Sequence, residues 1–532
     1  MKILKSKIIS LLFLPLLSGI ILGISAIPSK LWLLNFIAYI PLLIATGWTI
    51  IQKRPLRIFI IQMLITLVTF YTWVSLWIFR TANLGFLVGF LIVLPYIIFV
   101  TPYILLKKNK NRLASVYFIA AWLTAEFLQS YYQLGSPLFN LGNSLGAMPN
   151  VIQWYEFTGA TGGSLWILAA NLTFSNIIEN LKGSGTGWIK QLLLSAGILL
   201  LPVIISLAIL RNYKEKGPLS VVMIIHPNTD CYNVKYQINI FELMDIYLGI
   251  MMPQLDSNTD YVILPETAIT NAGWVSDLNN NLVFDHFHER TAGFPDLKLV
   301  TGAITYEAIP DVEKIKGYKR IPGIRYSEKY KVWYYTYNSA LFIEKGNAVQ
   351  MRVKEGLVPY QEYSPYPRLM PKLSPVGVDF QFSFRKSNLQ VFVDKDRKKT
   401  SALICYELVF GNKFNRAARD GAEAFLVLLN EGWYINTPKV NHQFLQLAVI
   451  RAIENRRSIA HSSNMGISSF INQKGEITSS QASKEPGYLK NEIRMNKKLT
   501  FFTIMGDYLG KTALFISIIL IFIEIGRNLI NK

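Results

Sequence analysis

The segment "TSALICYELVFGNKFNRAARDGAEAFLVLLN" (residues 400–430) contains the pattern that predicts the fold. Two short apolar runs, "TSALICYE" and "AEAFLVLLN", have the length and composition of buried strands, and "LVFGNKFNRAARDGA" between them is typical of a helix. A strand–helix–strand unit indicates a layered α/β domain. Further β-rich runs extend this pattern upstream: "LSVVMII" at 219, "DYVILPE" at 260, "DLKLVTGAIT" at 296 and "YNSALFIE" at 337.

Three reactive side chains come at the ends of such runs. Glu266 ends "YVILPE", Cys405 ends "SALIC", and Lys354 lies in the loop "MRVKEGLVPYQEYSP" after a strand. Side chains at the carboxyl ends of strands reach the crevice in which α/β proteins bind ligands. Taken singly, a cysteine at a strand end is more often core, and a glutamate after proline is more often a cap.

A thiol at a strand-to-helix turn lies near a helix N terminus, which stabilises the thiolate. The backbone N–H of Tyr406 is then placed to bind an oxyanion, as in other nucleophile elbows. Glu266 is a candidate for the base that takes the proton of Cys405, and Lys354 is a candidate for holding the thiolate and oxyanion by charge.

Composition indicates a membrane protein. The chain has 532 residues, of which 51% are hydrophobic and 17% charged, with a mean hydropathy of +0.29. We predict about eight spans, because each apolar segment approaches the length needed to cross roughly 30 Å of hydrocarbon. They lie at about 8–27, 31–51, 58–79, 84–106, 113–131, 163–180, 191–210 and 512–527.

The lysines and arginines predict the orientation of these spans. Basic residues precede the first span, fall between spans two and three, four and five, and six and seven, and follow the last, whereas residues 132–162 contain none. The positive-inside rule then puts both termini in the cytoplasm and residues 211–511 on the far side. A cleaved signal peptide is the alternative for the first span, but six more spans follow it without a soluble domain between them.

The formal net charge of +20 raises the alternative of nucleic-acid binding. The sequence has no basic segment interspersed with aromatic residues, and much of its basic charge borders apolar runs. We therefore expect no nucleic-acid partner. Cys231 and Cys405 are the two cysteines, which cannot form a disulfide framework, and no spacing suggests a metal site. We therefore predict neither a metal nor a cofactor, and assign Cys231 no role.

The Gly-, Asn- and Pro-rich segment at 135–163 lies between two predicted spans. Irregular backbone near a membrane is tolerated where protein buries it or water reaches it. The segment is either an interfacial loop or part of a lipid-accessible region. Glu126, inside the fifth predicted span, suggests a buried partner or a functional cavity.

Together, several motifs make the chain resemble the carbon–nitrogen hydrolase (nitrilase) superfamily, with its Glu–Lys–Cys order, and more specifically the membrane-bound apolipoprotein N-acyltransferase family. The match spans nearly the whole chain. In the membrane part it includes "LGNSLGAMPNVIQWYEFTGATGGS", and "RAIENRRSIAHSSNMGISSFINQKG" resembles the helix and strand pair that closes the catalytic domain. The site motifs are "ILPETA", "KEGLVPYQEYSP", "ICYE" and "LNEGWY".

Carried over onto these motifs, the resemblance implies that Glu266, Lys354 and Cys405 are catalytic. It implies substrate-binding or supporting roles for Tyr360, Glu362, Tyr406, Glu407, Asn430 and Trp433. Apolar or aromatic residues such as Tyr360 and Trp433 would suit a lipid entrance, with core packing as the alternative. Glu362 and Glu407 would orient Lys354 or an incoming amine, or else fix loops. The chain departs from the family pattern at Leu138-Phe139, Gln361, Glu431 and His461.

The resemblance also implies a fold and an activity. We expect transmembrane helices 1–7 in residues 1–210, a periplasmic nitrilase-like αββα sandwich in 211–500, and a last transmembrane helix in 501–532. We expect a monomer in the bacterial inner membrane that transfers an acyl chain from the sn-1 position of a phospholipid, through a cysteine thioester, to the α-amine of a diacylglyceryl-cysteine on an apolipoprotein. The alternatives are a membrane-tethered amidase or nitrilase, and a transporter or scaffold with an inactive nitrilase domain.

Overall fold

The computed structural model describes residues 9–26, 31–75, 85–180, 187–310, 324–359, 361–363, 365–366, 382–383, 390–434, 439–482 and 485–530. The chain forms two compact units, one made of residues 1–213 and 505–532, the other of residues 214–504. These divisions lie a few residues beyond the predicted boundaries at 210/211 and 500/501.

The first unit is helical. Its helices before the second unit are α1 (Leu14–Ala26), α2 (Ile40–Ile51), α3 (Leu56–Val74), α4 (Gly85–Val100), α5 (Tyr103–Lys108), α6 (Ala114–Leu128), α7 (Tyr155–Asn180) and α8 (Gly187–Asn212). Among the described residues, four helical segments are long and apolar enough to cross a membrane: Trp32–Ile51, Leu56–Val74, Trp188–Asn212 and Tyr508–Leu529. Leu11–Ala26 and Ala114–Leu128 are apolar but shorter. The chain therefore has membrane-spanning character, and the count of eight stays a prediction.

The irregular segment predicted at 135–163 folds into short 3₁₀ turns, Pro137–Phe139, Leu141–Ala147 and Pro149–Val151, before α7 begins. Most of their residues are buried within the first unit. Glu126, on α6, is also buried, and its Oε1 accepts a hydrogen bond from the Leu141 backbone N–H at 2.8 Å. The buried partner expected for Glu126 is therefore the backbone of this segment.

The second unit contains thirteen strands within the described residues. They are β1 (Leu219–His226), β2 (Tyr261–Ile263), β3 (Lys298–Ala308), β4 (Ile324–Ser327), β5 (Val332–Glu344), β6 (Gln350–Val353), β7 (Phe392–Val393), β8 (Lys399–Ile404), β9 (Ala424–Leu429), β10 (Ile459–Ser463), β11 (Ser468–Ile471), β12 (Ile477–Gln481) and β13 (Gly487–Arg494). Its helices are α9 (Ile240–Met251), α10 (Leu282–Arg290), α11 (Gly411–Arg419) and α12 (Lys439–Asn455). The short helix α13 (Phe501–Met505) lies at its C-terminal boundary, and α14 (Tyr508–Ile530) belongs to the first unit.

The strands form two sheets. One has the order β13-β1-β2-β3-β5-β4, with β6 paired to β5, and the other has the order β12-β11-β10-β9-β8-β7. The segments β1, β2 and β3 are parallel, as are β8, β9 and β10. The last strand closes the unit by pairing with the first, antiparallel, from Leu219↔Arg494 to His226↔Gly487.

The side chains of β1 alternate between the two faces of the first sheet, and their contacts show the order of the layers. Val222 and Ile224 pack with residues of the second sheet such as Leu426, so the two sheets face each other across an apolar core. Met223 and Ile225 point the other way and pack with residues of α9 and α10. Successive side chains of a strand point to opposite faces, which is why one run of apolar residues serves both layers.

On the second sheet, α11 lies on the outer face, where Phe414 meets Phe425 edge-on with ring centroids 5.0 Å apart. The predicted αββα sandwich is therefore confirmed. The predicted helix after Cys405 is interrupted. A 3₁₀ turn, Cys405–Val409, comes first, and α11 begins only at Gly411 because Phe410 has extended backbone angles.

Candidate active site

Three connections that follow strands carry the predicted catalytic residues. Lys354 comes directly after β6 and Cys405 directly after β8, whereas Glu266 follows β2 through Leu264 and Pro265. The Glu266 N–H donates to the carbonyl of Leu429, at the end of β9 in the opposite sheet, at 3.3 Å. This bond ties the connection from the first sheet to the carboxyl edge of the second.

Lys354 joins two carboxylates. Its Nζ donates to Glu266 Oε1 and to Glu362 Oε1, each at 2.8 Å, and its side chain is buried. Its backbone N–H donates to the carbonyl of Asn338 on β5 at 2.8 Å, which fixes the start of the loop. One buried ammonium therefore serves two acidic groups, an arrangement that favours its charged form. The two carboxylates accordingly raise the pKa of Lys354 well above its usual value, against the effect of burial.

Cys405 is buried beside this cluster and has a backbone φ of 48°. A left-handed conformation is costly for a residue with a Cβ, and such strain is common at active sites. Burial raises the pKa of the thiol well above its usual value, the charge of Glu266 raises it further, and Lys354 opposes both. The thiol is therefore protonated at rest, contrary to the thiolate expected from a helix N terminus. It needs a base to become a nucleophile, and Glu266 interacts with it directly.

Glu362 is the second carboxylate on Lys354. Its Oε2 accepts from the Val358 N–H at 2.8 Å, which closes the loop on itself. Burial raises its pKa, and Lys354 counteracts this. The structure thus places Glu362 against the lysine, one of the two roles weighed for it.

Glu407 has a different partner. Its two oxygens accept from both terminal nitrogens of Arg352, at 2.7 and 2.9 Å, with both side chains buried. It also accepts from the N–H groups of Ile404 and Glu355, each at 2.8 Å. The guanidinium lowers the pKa of Glu407, against burial, to about 2. Glu407 therefore fixes the loops of Cys405 and Lys354 to each other, which corresponds to the loop-fixing alternative.

The connection after β9 forms another wall. Asn430 is fully buried, and its Oδ1 accepts from Asn464 Nδ2 at 3.0 Å. The ring of Trp433 is stacked on Tyr236, with centroids 6.1 Å apart and 24° between planes, and meets Tyr232 edge-on at 5.1 Å. Trp433 is half-buried, so it belongs to an aromatic surface rather than to the core.

The remaining predicted residues are placed as follows. The ring of Tyr406 is buried and meets Phe410 edge-on at 5.4 Å. Tyr360 lies outside the described residues. Glu431, one of the departures, accepts from Ser463 Oγ at 2.8 Å and from the Ile467 N–H at 3.1 Å, and burial raises its pKa to about 7. It fixes the loop between β10 and β11.

Sequence reasoning missed three residues. Asn338 Nδ2 donates to Glu266 Oε1 at 2.8 Å and to Glu362 Oε1 at 3.1 Å. Lys235, in the connection after β1, donates to the backbone carbonyl of Glu266 at 2.8 Å. Of these three residues, Arg352 could have been identified from the sequence. An arginine inside a short buried strand requires an acidic partner, and the glutamate in "ICYE" was a candidate.

Comparison with known proteins places both units in one family. The family model described as apolipoprotein N-acyltransferase N-terminal domain matches residues 18–173, and the carbon-nitrogen hydrolase model matches residues 239–497. A protein of Chlorobaculum tepidum named apolipoprotein N-acyltransferase is 25% identical over 542 residues, covering 97% of each chain. Proteins with the same name from Geobacter metallireducens and Thermotoga maritima are each 23% identical. They cover 92% and 98% of this chain, and 91% and 95% of their own. The two matched domains and the near-complete coverage show that the chain belongs to the apolipoprotein N-acyltransferase family.

Proposed function

We propose that the chain transfers an acyl group from the sn-1 position of a phospholipid to the α-amine of a diacylglyceryl-cysteine at the N terminus of an apolipoprotein. The observation that carries this proposal is the buried cluster in which Lys354 Nζ bonds both Glu266 and Glu362 at 2.8 Å beside the Cys405 thiol. Nucleophile, base and cation are the parts that acyl transfer through a thioester requires.

In the first half-reaction, Cys405 Sγ attacks the ester carbonyl while Glu266 takes the thiol proton. Lys354, with backbone N–H groups such as that of Tyr406, stabilises the negative charge on the carbonyl oxygen. When the tetrahedral intermediate collapses, the ester C–O bond breaks and Glu266 passes the proton to the departing lysophospholipid. The raised pKa of Cys405 supports this order, because proton removal must accompany attack.

In the second half-reaction, the neutral α-amine of the acceptor attacks the thioester carbonyl. Glu266 accepts the proton of the amine, the C–S bond breaks, and Glu266 passes that proton to the departing thiolate of Cys405. The product is an N-acylated lipoprotein. Trp433 is a candidate for the surface that positions the acyl chains, since it is half-buried and forms an aromatic surface with Tyr232 and Tyr236. Asn430 is fully buried, and we assign it a supporting role through its bond to Asn464.

The proposed location is the bacterial inner membrane, with the catalytic unit in the periplasm, both termini in the cytoplasm, and a monomer as the working unit. The alternation of basic residues between apolar segments supports this orientation. Four described helical segments long enough to span a bilayer support membrane anchoring. Both substrates carry acyl chains, so an enzyme held at the membrane meets each of them there.

Acyl-enzyme labelling tests the proposal. Purified full-length protein in detergent is given a phospholipid labelled in its sn-1 chain and then a diacylated lipopeptide. We expect label on Cys405 in a hydroxylamine-sensitive bond, followed by transfer to the lipopeptide amine. Cys405→Ala should abolish labelling, whereas the matched variant Cys231→Ala should retain it. Absence of label in the wild type would contradict the acyltransferase. Label released only to water would favour the amidase alternative.

A further inference from the structure

A second buried lysine supports the loop that carries Glu266. Lys235 is fully buried, and its Nζ donates to the Glu266 carbonyl at 2.8 Å and to Thr267 Oγ1 at 3.0 Å. Thr267 has a φ of 48°, so this loop turns sharply directly after Glu266. The same Thr267 hydroxyl lies 3.1 Å from the hydroxyl of Tyr236. Lys235 therefore holds the backbone on the C-terminal side of Glu266, which helps to set the position of its carboxylate.

The charges of the site explain why a lysine is useful there. Glu266 and Glu362 share Lys354, so the three groups carry a net negative charge when both acids are ionised. An uncompensated charge in a buried site is costly, and a carboxylate in that position takes up a proton instead. Lys235 interacts electrostatically with Glu266 and supplies a second positive charge. The cluster then contains two buried lysines and two acids.

The other titratable groups around Lys235 do not supply this charge. Burial raises the pKa of Cys231 to about 11, and burial also raises the pKa of Tyr236, so both are neutral at neutral pH. Asp230 is half-buried and accepts a hydrogen bond from Asn233 Nδ2 at 2.9 Å. The groups that reach the cluster from other connections are Lys354 and Glu362 after β6 and Cys405 after β8.

We propose that Lys235 is a positioning residue for acyl transfer, which fixes the Glu266 loop and adds a second positive charge to the cluster that contains the base. This inference rests on the proposed function. Burial lowers the pKa of Lys235 to about 8, so the ammonium is charged at neutral pH and loses its charge as pH rises through that value.

The test is the pH dependence of acyl-enzyme formation in the full-length protein. The rate constant for labelling of Cys405 by phospholipid is measured from pH 5 to pH 9 for the wild type, Lys235→Met, Lys235→Arg and Lys298→Met. Lys298 is the matched control, because it is equally buried but pairs with Asp396 at 3.2 Å, outside the site. A nearby positive charge favours the ionised form of an acid, so its removal should move the acid limb of the rate to higher pH.

We expect Lys235→Met to be at least about tenfold slower at pH 7, because the Glu266 loop loses its anchor, and its acid limb should move to higher pH, because the positive charge is lost. Lys235→Arg should keep the wild-type acid limb, because the charge remains, and Lys298→Met should keep it as well. A uniformly slower Lys235→Met with an unmoved acid limb would overturn the proposal, since a loop support without electrostatic effect behaves that way. If Lys235→Met is not recovered folded, a shifted acid limb in Lys235→Arg would overturn it.

A second measurement separates this inference from the proposed function. Alkylation of Cys405 by iodoacetamide, in a Cys231→Ser background, follows thiol deprotonation without any acyl donor. Lys235→Met should shift its pH midpoint, because the position and charge of Glu266 act on the thiol, whereas Lys298→Met should not, even if the wild type forms no acyl-enzyme. An unchanged midpoint would contradict the role of Lys235, whether or not phospholipid is a substrate.

Discussion

Arg352 and Lys354 lie two residues apart, and each belongs to a buried ion cluster. The two clusters differ in how many donors their carboxylates receive. Arg352, on β6, forms a bidentate pair with Glu407, whose oxygens also accept two backbone N–H groups. Lys354, just after β6, divides one ammonium between Glu266 and Glu362. In the first cluster every acceptor is used and the pKa of Glu407 falls to about 2, whereas in the second the pKa of Glu362 is raised.

The difference shows how a buried carboxylate is either held in its ionised form or left able to exchange a proton. A carboxylate that receives several donors is held in its ionised form and cannot take a proton at neutral pH. Two carboxylates that share the Lys354 ammonium each receive fewer donors than Glu407, which suits a group that must accept and return a proton. Arginine suits the first task through its planar fork, and lysine suits the second as a single movable charge.

Breaking the shared cluster, which consists of Lys354, Glu266 and Glu362, should give the largest effect on the rate of the reaction. Lys354→Met removes the cation that bridges Glu266 and Glu362 and faces the developing oxyanion. We expect acyl-enzyme formation to fall by at least about 10³-fold, near the upper end of the effect of losing one oxyanion donor. Single-turnover labelling with phospholipid measures it. Lys298→Met is the control for removing a buried lysine, and an equal loss in that variant would mean that Lys354 acts only through the fold.

Breaking the Arg352–Glu407 pair should mainly lower the stability of the fold. Arg352→Met leaves the Glu407 carboxylate buried without its counter-ion, which costs about 3–5 kcal/mol of unfolding free energy. Thermal unfolding of the detergent-solubilised protein, followed by tryptophan fluorescence, should show a large decrease in midpoint. Lys354→Met should lower the midpoint less, because Glu362 can take up a proton in its place. The comparison would fail if Lys354→Met proved the less stable of the two variants.

The two clusters should also respond to pH with opposite signs. Glu407 has a lowered folded pKa, so its stabilisation is present above the unfolded pKa and is lost as pH falls through about 2. Glu362 has a raised folded pKa, so its contribution is present below the unfolded pKa and is lost as pH rises through the folded value.

Unfolding midpoints measured from pH 3 to pH 8 can separate these contributions. Glu407→Gln should flatten the acid side of the wild-type curve, by up to about 2 kcal/mol of unfolding free energy between about pH 4.5 and pH 3. Glu362→Gln should flatten the curve above about pH 4.5 instead. A Glu407→Gln variant that retains the full acid dependence would show that other carboxylates dominate it.

Sequence could predict the parts of the site that lie at strand ends and failed for those that depend on contacts across the fold. Glu266 and Cys405 follow apolar runs whose length already indicates strands, and "TSALICYE" to "AEAFLVLLN" predicted the central unit of the second sheet. Asn338 lies inside β5, in a run that reads as ordinary strand, and only the pairing of β5 with β6 brings it to Lys354. The proximity of Asn338 to Lys354 therefore produces no local pattern in the sequence.

The character of the thiol was the clearest error. A helix directly after Cys405 predicted a stabilised thiolate, but the chain forms a 3₁₀ turn there and reaches a regular helix only at Gly411. Burial and the charge of Glu266 then outweigh any stabilisation by backbone dipoles and raise the pKa of the thiol. Local composition cannot weigh these effects, since the opposing charge comes from a different sheet.

Asn338 offers the smallest and most selective test of the shared cluster. Its amide donates to both Glu266 and Glu362, so Asn338→Ala removes one neutral donor from each carboxylate while leaving every charge in place. Neutral hydrogen bonds are worth about 0.5–1.5 kcal/mol, and we therefore expect acyl-enzyme formation to slow about tenfold. Ser339→Ala is the matched control, because the neighbouring Ser339 bonds Thr305 instead, at 2.8 Å. Single-turnover rates should separate the two variants, and a loss for Asn338→Ala as large as that for Lys354→Met would mean that the amide, rather than the ammonium, controls Glu266.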